Sequence, residues 1–545
     1  MMNKARPAPF LCGNSEAMLV GACLKPVRRS ECMRYVSTRG GSTALSSALS
    51  SAEAVKMGLA PDGGLFVPDG PVILSARELS SFIDMTYKER AIWILSRFLT
   101  DFSLAELTAC VENAYGGASF DEGRVAPLVH LDGHLSVMEL WHGPTCAFKD
   151  VALQLLPRLM TGAMKKTGEN REIVILVATS GDTGKAALEG FADVPGTRII
   201  VFYPDEGVSD VQKRQMLTQT GGNVHVVGVR GNFDDTQTGV KRIFNNMDMT
   251  AALQANGMVF SSANSINWGR LVPQIVYYFS SYADLCREGR IRCGDVVNFV
   301  VPTGNFGNIL AAWYAMSMCL PVNRLICASN DNNVLTDFIR TGEYNRCRAF
   351  RKTASPSMDI LISSNLERLL FEMSGRDSQR VKSWMEDLAR KGSYDVGASL
   401  HAAIGTLFHG GWASGEDTLK TIAAVWQTHR YVADTHTAVG INVYDRYKEE
   451  TGDLTPTILV STASPFKFAG SVAGALFGQE VIRELDDFDL LDFLSGKTGW
   501  PIPDGLHGLR DRPVLHGTVC TVEGMMTAVS QLLGIPAIRE ETENG

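Results

Sequence analysis

From Glu172 onward, short β-branched and apolar runs end in glycine-bearing loops and give way to helical periodicity. Examples are "EIVILVATSGDTGKAALEGFA", "TRIIVFYPDEGVSDVQKRQMLTQ" and "NVHVVGVRGNFDDTQTGVKRIFNNM". The pattern resumes at "DVVNFVVPTGNFGNILAAWYAMS" and again at "RLICASN" and "PTILVSTAS". Strands of this kind alternating with helices predict parallel sheets covered on both faces, an α/β fold. Between Ser37 and His130 the chain reads as mostly helical: "SLAELTACVENAY" has the apolar spacing of an amphipathic helix, and "PDGGLFVPD" marks a turn and a short strand. The stretch "RKTASPSMDILISSNLERLLFEM", followed by "RVKSWMEDLARK", interrupts the alternation and predicts an inserted helical segment over the sheet. The expected division is an extension over 1–32, an N-terminal domain over 33–135, a smaller α/β domain over 136–290, and a larger α/β domain over 291–545 that carries the insertion.

Length fits this division, since 545 residues at about 150 to 200 per domain give roughly three domains. The longest apolar stretch, "VVNFVVPTGNFGNILAAWYAMSMCLPV", is interrupted by Pro302, Gly304, Asn305, Gly307 and Asn308, so it splits into strand, loop and helix rather than spanning a membrane. A net charge of -8 without a long basic run argues against nucleic acid or an anionic membrane surface as partner and favours a small molecule. Eleven cysteines without a CxxC pair or zinc-ligand spacing read as reduced thiols, with no metal site expected. The first 32 residues carry five basic and two acidic residues and lack clear periodicity. They read as an extension of unclear role with a weak organelle-targeting character, and the expected location is cytoplasmic. A monomer or homodimer is expected.

Candidate chemistry begins at Lys149 in "ELWHGPTCAFKDVALQLLP", between a turn-rich apolar run and an apolar helix. Either its ammonium reaches water, or the site uses an amine there; a desolvated lysine loses its charge readily and suits Schiff-base chemistry with a carbonyl compound. "TSGDTGKAA", Thr179 to Ala187, follows a strand and opens a helix, so converging N–H groups suit a carboxylate or phosphate. A nucleotide P-loop fails there, because its first glycine would fall at Thr179 and the residue after Lys185 is Ala186. "PTGNFGN", Pro302 to Asn308, repeats the arrangement, and two such loops at strand C-termini mark where open parallel sheets bind ligands. In "NSINWGR" Arg270 either forms a surface ion pair or grips a second phosphate. Thr462, just past the run "TILV", can present a hydroxyl to a ring nitrogen, whereas His436 in "ADTHTAVG" reads more readily as a satisfied structural histidine.

Taken in order, "DGGLFVP", "HGPTCAFKD", "TSGDTGKAA", "GNFDDTQTGVKR", "NSINWGR", "VPTGNFGN", "SPSMDI", "SSNLER", "DTHTAVG" and "STASPFKF" resemble the motif series of the longer threonine synthases, over about Met33 to Phe468. The resemblance implies a fold-type II architecture like the tryptophan synthase β chain, pyridoxal 5'-phosphate as cofactor, and conversion of O-phospho-L-homoserine and water to L-threonine and phosphate. By position it implies Lys149 as the Schiff-base lysine and Gly304, Asn305, Phe306, Gly307 and Asn308 around the cofactor phosphate. It further implies Thr462 at the pyridine nitrogen, Ser180, Gly181, Asp182 and Thr183 at the substrate carboxylate, and Asn264, Ser265 and Arg270 at the substrate phosphate. The family usually has histidine and alanine where this chain has Ser464 and Phe466. Alternatives from the residues are a phospho-lyase of the same fold that releases a 2-oxo acid, a serine/threonine dehydratase, and a noncatalytic homologue.

Overall fold

The computed structural model describes residues 32–40, 48–117, 119–179, 181–206 and 208–538, so the extension before residue 32 and the predicted site residue Ser180 lie outside the described residues. The N-terminal helices are set by their first turns. Ser50, Thr86 and Ser103 each cap a helix, over Ser51–Met57, Tyr87–Phe98 and Leu104–Tyr115, with Glu53, Glu89 and Glu106 closing reciprocal capping boxes. Their apolar faces meet in a core that includes Val55, Ile94, Phe98, Leu107 and Val111. An antiparallel pair, Tyr35–Ser37 with Phe66–Pro68, closes one side.

This domain is bolted to the helix Trp268–Arg287, which is buried on nearly every face. Trp268 lies 5.5 Å from the Tyr35 ring, 5.7 Å from Phe98 and 5.3 Å from Tyr314. The packing fixes the start of the helix, and Arg270 stands in its first turn.

Two sheets carry the rest. The larger runs Phe408–Trp412, Val322–Ser329, Val297–Pro302, Thr457–Ser461, Leu135–Glu139, Leu128–His130, parallel except for the final pair. The smaller runs Thr518–Thr521, Val224–Arg230, Thr197–Pro204, Glu172–Ala178, Met258–Ser261, parallel throughout. The alternation of apolar runs and helices therefore ends in mixed α/β sheets of the expected kind. Five strands of the two sheets, Leu128–His130, Leu135–Glu139, Met258–Ser261, Phe408–Trp412 and Thr518–Thr521, had no counterpart in the sequence reading: "FHGGW" is glycine-rich, and "TVCT" is an exposed edge with little apolar patterning.

The parallel order brings five loops to one edge: those after Leu135–Glu139, Glu172–Ala178, Met258–Ser261, Val297–Pro302 and Thr457–Ser461. Between 343 and 395 the chain leaves the large sheet for the helices Leu366–Met373 and Ser378–Lys391, closed by an antiparallel pair, Glu343–Asn345 with Ser393–Asp395. The turn Pro356–Met358 within this excursion folds back against Lys149, Asp182 and Gly304, in three of the five loops. Among the described residues no helix is long and apolar enough to cross a membrane.

Candidate active site

Lys149 is the first residue of the short helix Lys149–Leu153. The turn before it is zipped to the loop after Thr457–Ser461: the Phe148 N–H donates to the Thr462 carbonyl at 2.8 Å and the Ser464 N–H to the Cys146 carbonyl at 3.0 Å. Ser464 and Phe466 are both buried, the Ser464 hydroxyl accepts from the Phe466 N–H at 3.3 Å, and the Phe466 ring joins the core, so the unusual pair keeps this zipper closed. Lys149 is thereby aimed inward. Its Nζ lies 3.4 Å from Asp182 Oδ2 and 3.4 Å from Ser357 Oγ. Burial lowers its affinity for a proton, Asp182 opposes that, and the cations of Lys467 and Arg270 reinforce it.

Asp182 is the centre of the polar cluster. Lys467 Nζ sits 2.7 Å from its Oδ1, Gln212 Nε2 donates to Oδ1 at 2.8 Å, and Ser357 Oγ donates to Oδ2 at 3.1 Å. Burial pushes its carboxyl up, but Lys467 and then Lys149 overturn that and hold it well below the usual carboxylate range. Asp182 begins the helix Asp182–Phe191, and the turn ahead of it is tight: Gly181 has φ 141°, and a Cβ there would stand 2.7 Å from the Gln212 side chain. Thr179 Oγ1 accepts from the Gly181 and Gly184 N–H groups at 3.0 and 2.9 Å. Thr183 is half-buried beside them.

The loop after Val297–Pro302 has the features of a phosphate cradle. Phe306 adopts φ 60° to start the helix Gly307–Ser317, a strained conformation for an aromatic residue that brings the helix N-terminus and its N–H groups into the cleft. A Cβ on Gly304 would fall 2.5 Å from the Ser357 carbonyl, so this loop and the excursion pack backbone to backbone. Tyr278 donates to Asn308 Oδ1 at 2.6 Å and Tyr277 donates to the same oxygen, which leaves the buried Asn308 Nδ2 with no partner. Asn305 is exposed, with its carbonyl held by Asn365.

Arg270 is 3% exposed. Its Nη1 donates to the Ala263 carbonyl at 2.7 Å, while Nε has no partner. Burial lowers its guanidinium to about 10. The surface ion pair weighed from the sequence is not what forms, since no carboxylate among the described residues pairs with it. Ser265 lies 3.5 Å from Asn365 Nδ2, and Asn264 is exposed on the preceding turn. Asn365 also donates to the Asn305 carbonyl at 3.0 Å, so one amide ties the Arg270 turn to the cradle. Thr462 is buried, and its hydroxyl makes no hydrogen bond among the described residues.

The predicted residues among those described therefore gather at one cleft, with Asn264 and Asn305 at its exposed rim. Lys467, Ser357, Gln212 and the pair behind Ser357 were not singled out for the site. In that pair His436 Nε2 accepts from the Ser357 N–H at 3.2 Å and Nδ1 bonds Asp434 at 2.9 Å. The signal for Ser357, Asp434, His436 and Lys467 was the polar clusters "SPSMDI", "DTHTAVG" and "STASPFKF", whereas Gln212 lies outside them. A group such as pyridoxal phosphate fits this cleft on the chain's own evidence: a buried lysine, an orphaned buried amide and a forced helix start converge on it.

Comparison with known proteins agrees. Residues 34–115 match the family model of the threonine synthase N terminus, 121–412 that of pyridoxal-phosphate dependent enzymes, and 437–513 that of the threonine synthase C-terminal region. The chain is 39% identical over 448 residues to threonine synthase of Pseudomonas aeruginosa, covering 82% of this chain and 91% of that one. It is 44% identical over 440 residues to human threonine synthase-like 1, covering 79% of this chain and spanning only 58% of that longer protein. A crystal structure of PLP-bound threonine synthase from Brucella melitensis superposes with a TM-score of 0.80 at 37% identity, covering 92% of this chain and 98% of that one.

Proposed function

The chain belongs to the threonine synthase family of fold-type II enzymes, whose cofactor is pyridoxal 5'-phosphate, and from that premise we propose that it converts O-phospho-L-homoserine and water to L-threonine and phosphate. The observation that carries this reading is Arg270: a buried guanidinium with an unpartnered Nε and no carboxylate partner among the described residues, in a cleft that also contains the Lys149 amine. A buried cation of this kind calls for an anion, and the cradle at Gly304 to Asn308 already accounts for a first phosphate.

Lys149 would hold the cofactor, the Gly304–Asn308 turn with the Asn308 amide would take its phosphate, and the Thr462 hydroxyl would be available to its ring. Bound there, the cofactor supplies an electron sink for carbanions formed on the substrate. The chain's own residues do the rest. The N-terminus of the helix Asp182–Phe191 holds the substrate carboxylate. The Lys149 amine would remove the Cα and Cβ protons and return protons at Cγ and Cα. Arg270, with Ser265 and Asn264, binds the γ-phosphate and steadies the charge that grows on it as the C–O bond breaks. Water adds at Cβ.

The experiment is to supply the cofactor-loaded protein with O-phospho-L-homoserine and identify the organic product alongside phosphate. Threonine in step with phosphate is the expected result. A 2-oxo acid in its place would mean a phospho-lyase, and absence of phosphate release would overturn the reading.

A further inference from the structure

Two buried amines share one carboxylate in this cleft, and they do not share it equally. Lys467 Nζ is 2.7 Å from Asp182 Oδ1 and its side chain is 0% exposed, while Lys149 Nζ is 3.4 Å from Oδ2. Lys467 is also anchored from the other side, donating to the Thr145 carbonyl at 2.9 Å. The remaining sites on Asp182 are taken by Gln212 and Ser357. The carboxylate is therefore neutralised and hydrogen-bonded without needing a proton donor from Lys149.

We propose that Lys467 is a positioning residue that acts through Asp182: by occupying this carboxylate it leaves the Lys149 amine unprotonated, ready to capture the cofactor and afterwards to move protons. An amine can attack a carbonyl or accept a proton only as the free base. Were Lys467 absent, Asp182 would be a buried anion with Lys149 as its nearest cation, and Lys149 would keep its proton. The groups facing Lys149 from the surrounding elements make the charge balance explicit. Asp182 is the neighbouring anion. Lys467 and Arg270 are the cations, Ser357 is neutral, and the Phe148 ring lies 5.2 Å from Nζ. Asp150, next in sequence, is turned away onto the Thr145 N–H and hydroxyl. Two cations against one anion favour loss of a proton, and of the two amines Lys149 is the less tightly held.

The inference rests on Lys149 being the amine that takes the cofactor, but not on the substrate. The test uses the full chain freed of cofactor. The rate of pyridoxal 5'-phosphate capture is followed by visible absorbance across pH, and borohydride trapping with peptide mapping locates the adduct at Lys149. In capture the amine adds to the aldehyde and one water is lost, so the rate follows the free-base fraction. Lys467→Met should move the midpoint up by about one pH unit, making capture about tenfold slower at a pH below both midpoints. Lys467→Arg, which keeps the charge, should restore the wild-type midpoint. Asp182→Asn should move it down, the opposite sign, which general loosening of the site does not produce. A folded Lys467→Met with an unchanged or lowered midpoint would overturn the proposal. If that variant does not fold, an upward move in Asp182→Asn does the same. Normal capture shifts in a protein that makes no threonine would refute only the assigned reaction.

Discussion

Arg270→Met should give a more stable protein that handles phosphorylated substrate poorly. Burial takes the guanidinium from its ordinary 12.5 to about 10. At about 1.4 kcal/mol for each tenfold in proton affinity, keeping it charged costs the fold about 3 kcal/mol at neutral pH. The sign follows from the depressed folded value: the cost is present throughout the range below about 10 and is relieved only as pH rises through it. Methionine removes that cost and fills much of the same volume, but the Ala263 carbonyl loses its donor, giving back about 1 to 2 kcal/mol. A net gain of about 1 to 2 kcal/mol is expected in urea melts of the cofactor-free protein. Inorganic phosphate supplies a second readout: a ligand at 100 times its Kd stabilises the native state by about 2.7 kcal/mol, so phosphate should raise the wild-type midpoint and leave that of Arg270→Met unmoved. The kcat/KM for O-phospho-L-homoserine should fall about a hundredfold or more, as when a charge-assisted contact worth roughly 3 kcal/mol is lost, with cofactor affinity little changed. A variant destabilised by several kcal/mol, with phosphate still protective, would mean that Arg270 is a structural bolt and that the anion binds elsewhere.

Two further substitutions test the architecture around the cleft. Gly304→Ala drives a Cβ to 2.5 Å from the Ser357 carbonyl, so it should cost about 1 to 3 kcal/mol by overpacking and weaken cofactor binding as the excursion is pushed off the cradle; Gly307→Ala, whose nearest neighbour is 3.5 Å away, should leave the cofactor-free melt within about 0.5 kcal/mol. Equal melts for the two would refute the backbone contact. Asp150 is raised to about 6 by burial, against the pull of its two Thr145 hydrogen bonds. Because the folded state holds this proton more tightly than the unfolded chain, stability is greater in acid and is lost as pH rises from about 4 through 6, by about 3 kcal/mol in all. Asp150→Asn keeps a hydrogen-bonding partner for Thr145 and should flatten that part of the stability curve; an unchanged slope between pH 4 and 6 would assign it to another group.

The parts of this site legible in the sequence are those whose chemistry is local. "EIVILVA" and "VNFVVP" could be read as buried parallel strands because nearly every position is apolar, Glu172 and Asn298 apart, and the loops after them as anion sites because a strand end and a helix start adjoin in one run of residues. Lys149 was legible because a lysine between two apolar segments poses an energetic question of its own. Phe306 shows the limit of local reading: it belonged to the right motif, but nothing in the residue itself announces a left-handed backbone, which only the packed loop imposes. The residues that set the charge of the site were harder still. Ser357 reaches Lys149 across 208 positions of sequence, and His436 reaches Ser357 across 79, so neither contact leaves a spacing pattern. His436 was read as a satisfied structural histidine, and its hydrogen bonds are indeed filled, yet what it satisfies is the backbone of the residue that touches both Lys149 and Asp182. Lys467 is the sharpest case. A lysine just past a strand looks like any solvated loop residue, and only the meeting of the loops from both sheets buries it against Asp182. A sequence can thus single out the amine proposed for the chemistry, while the carboxylate and second amine set beside it are a property of the assembled cleft.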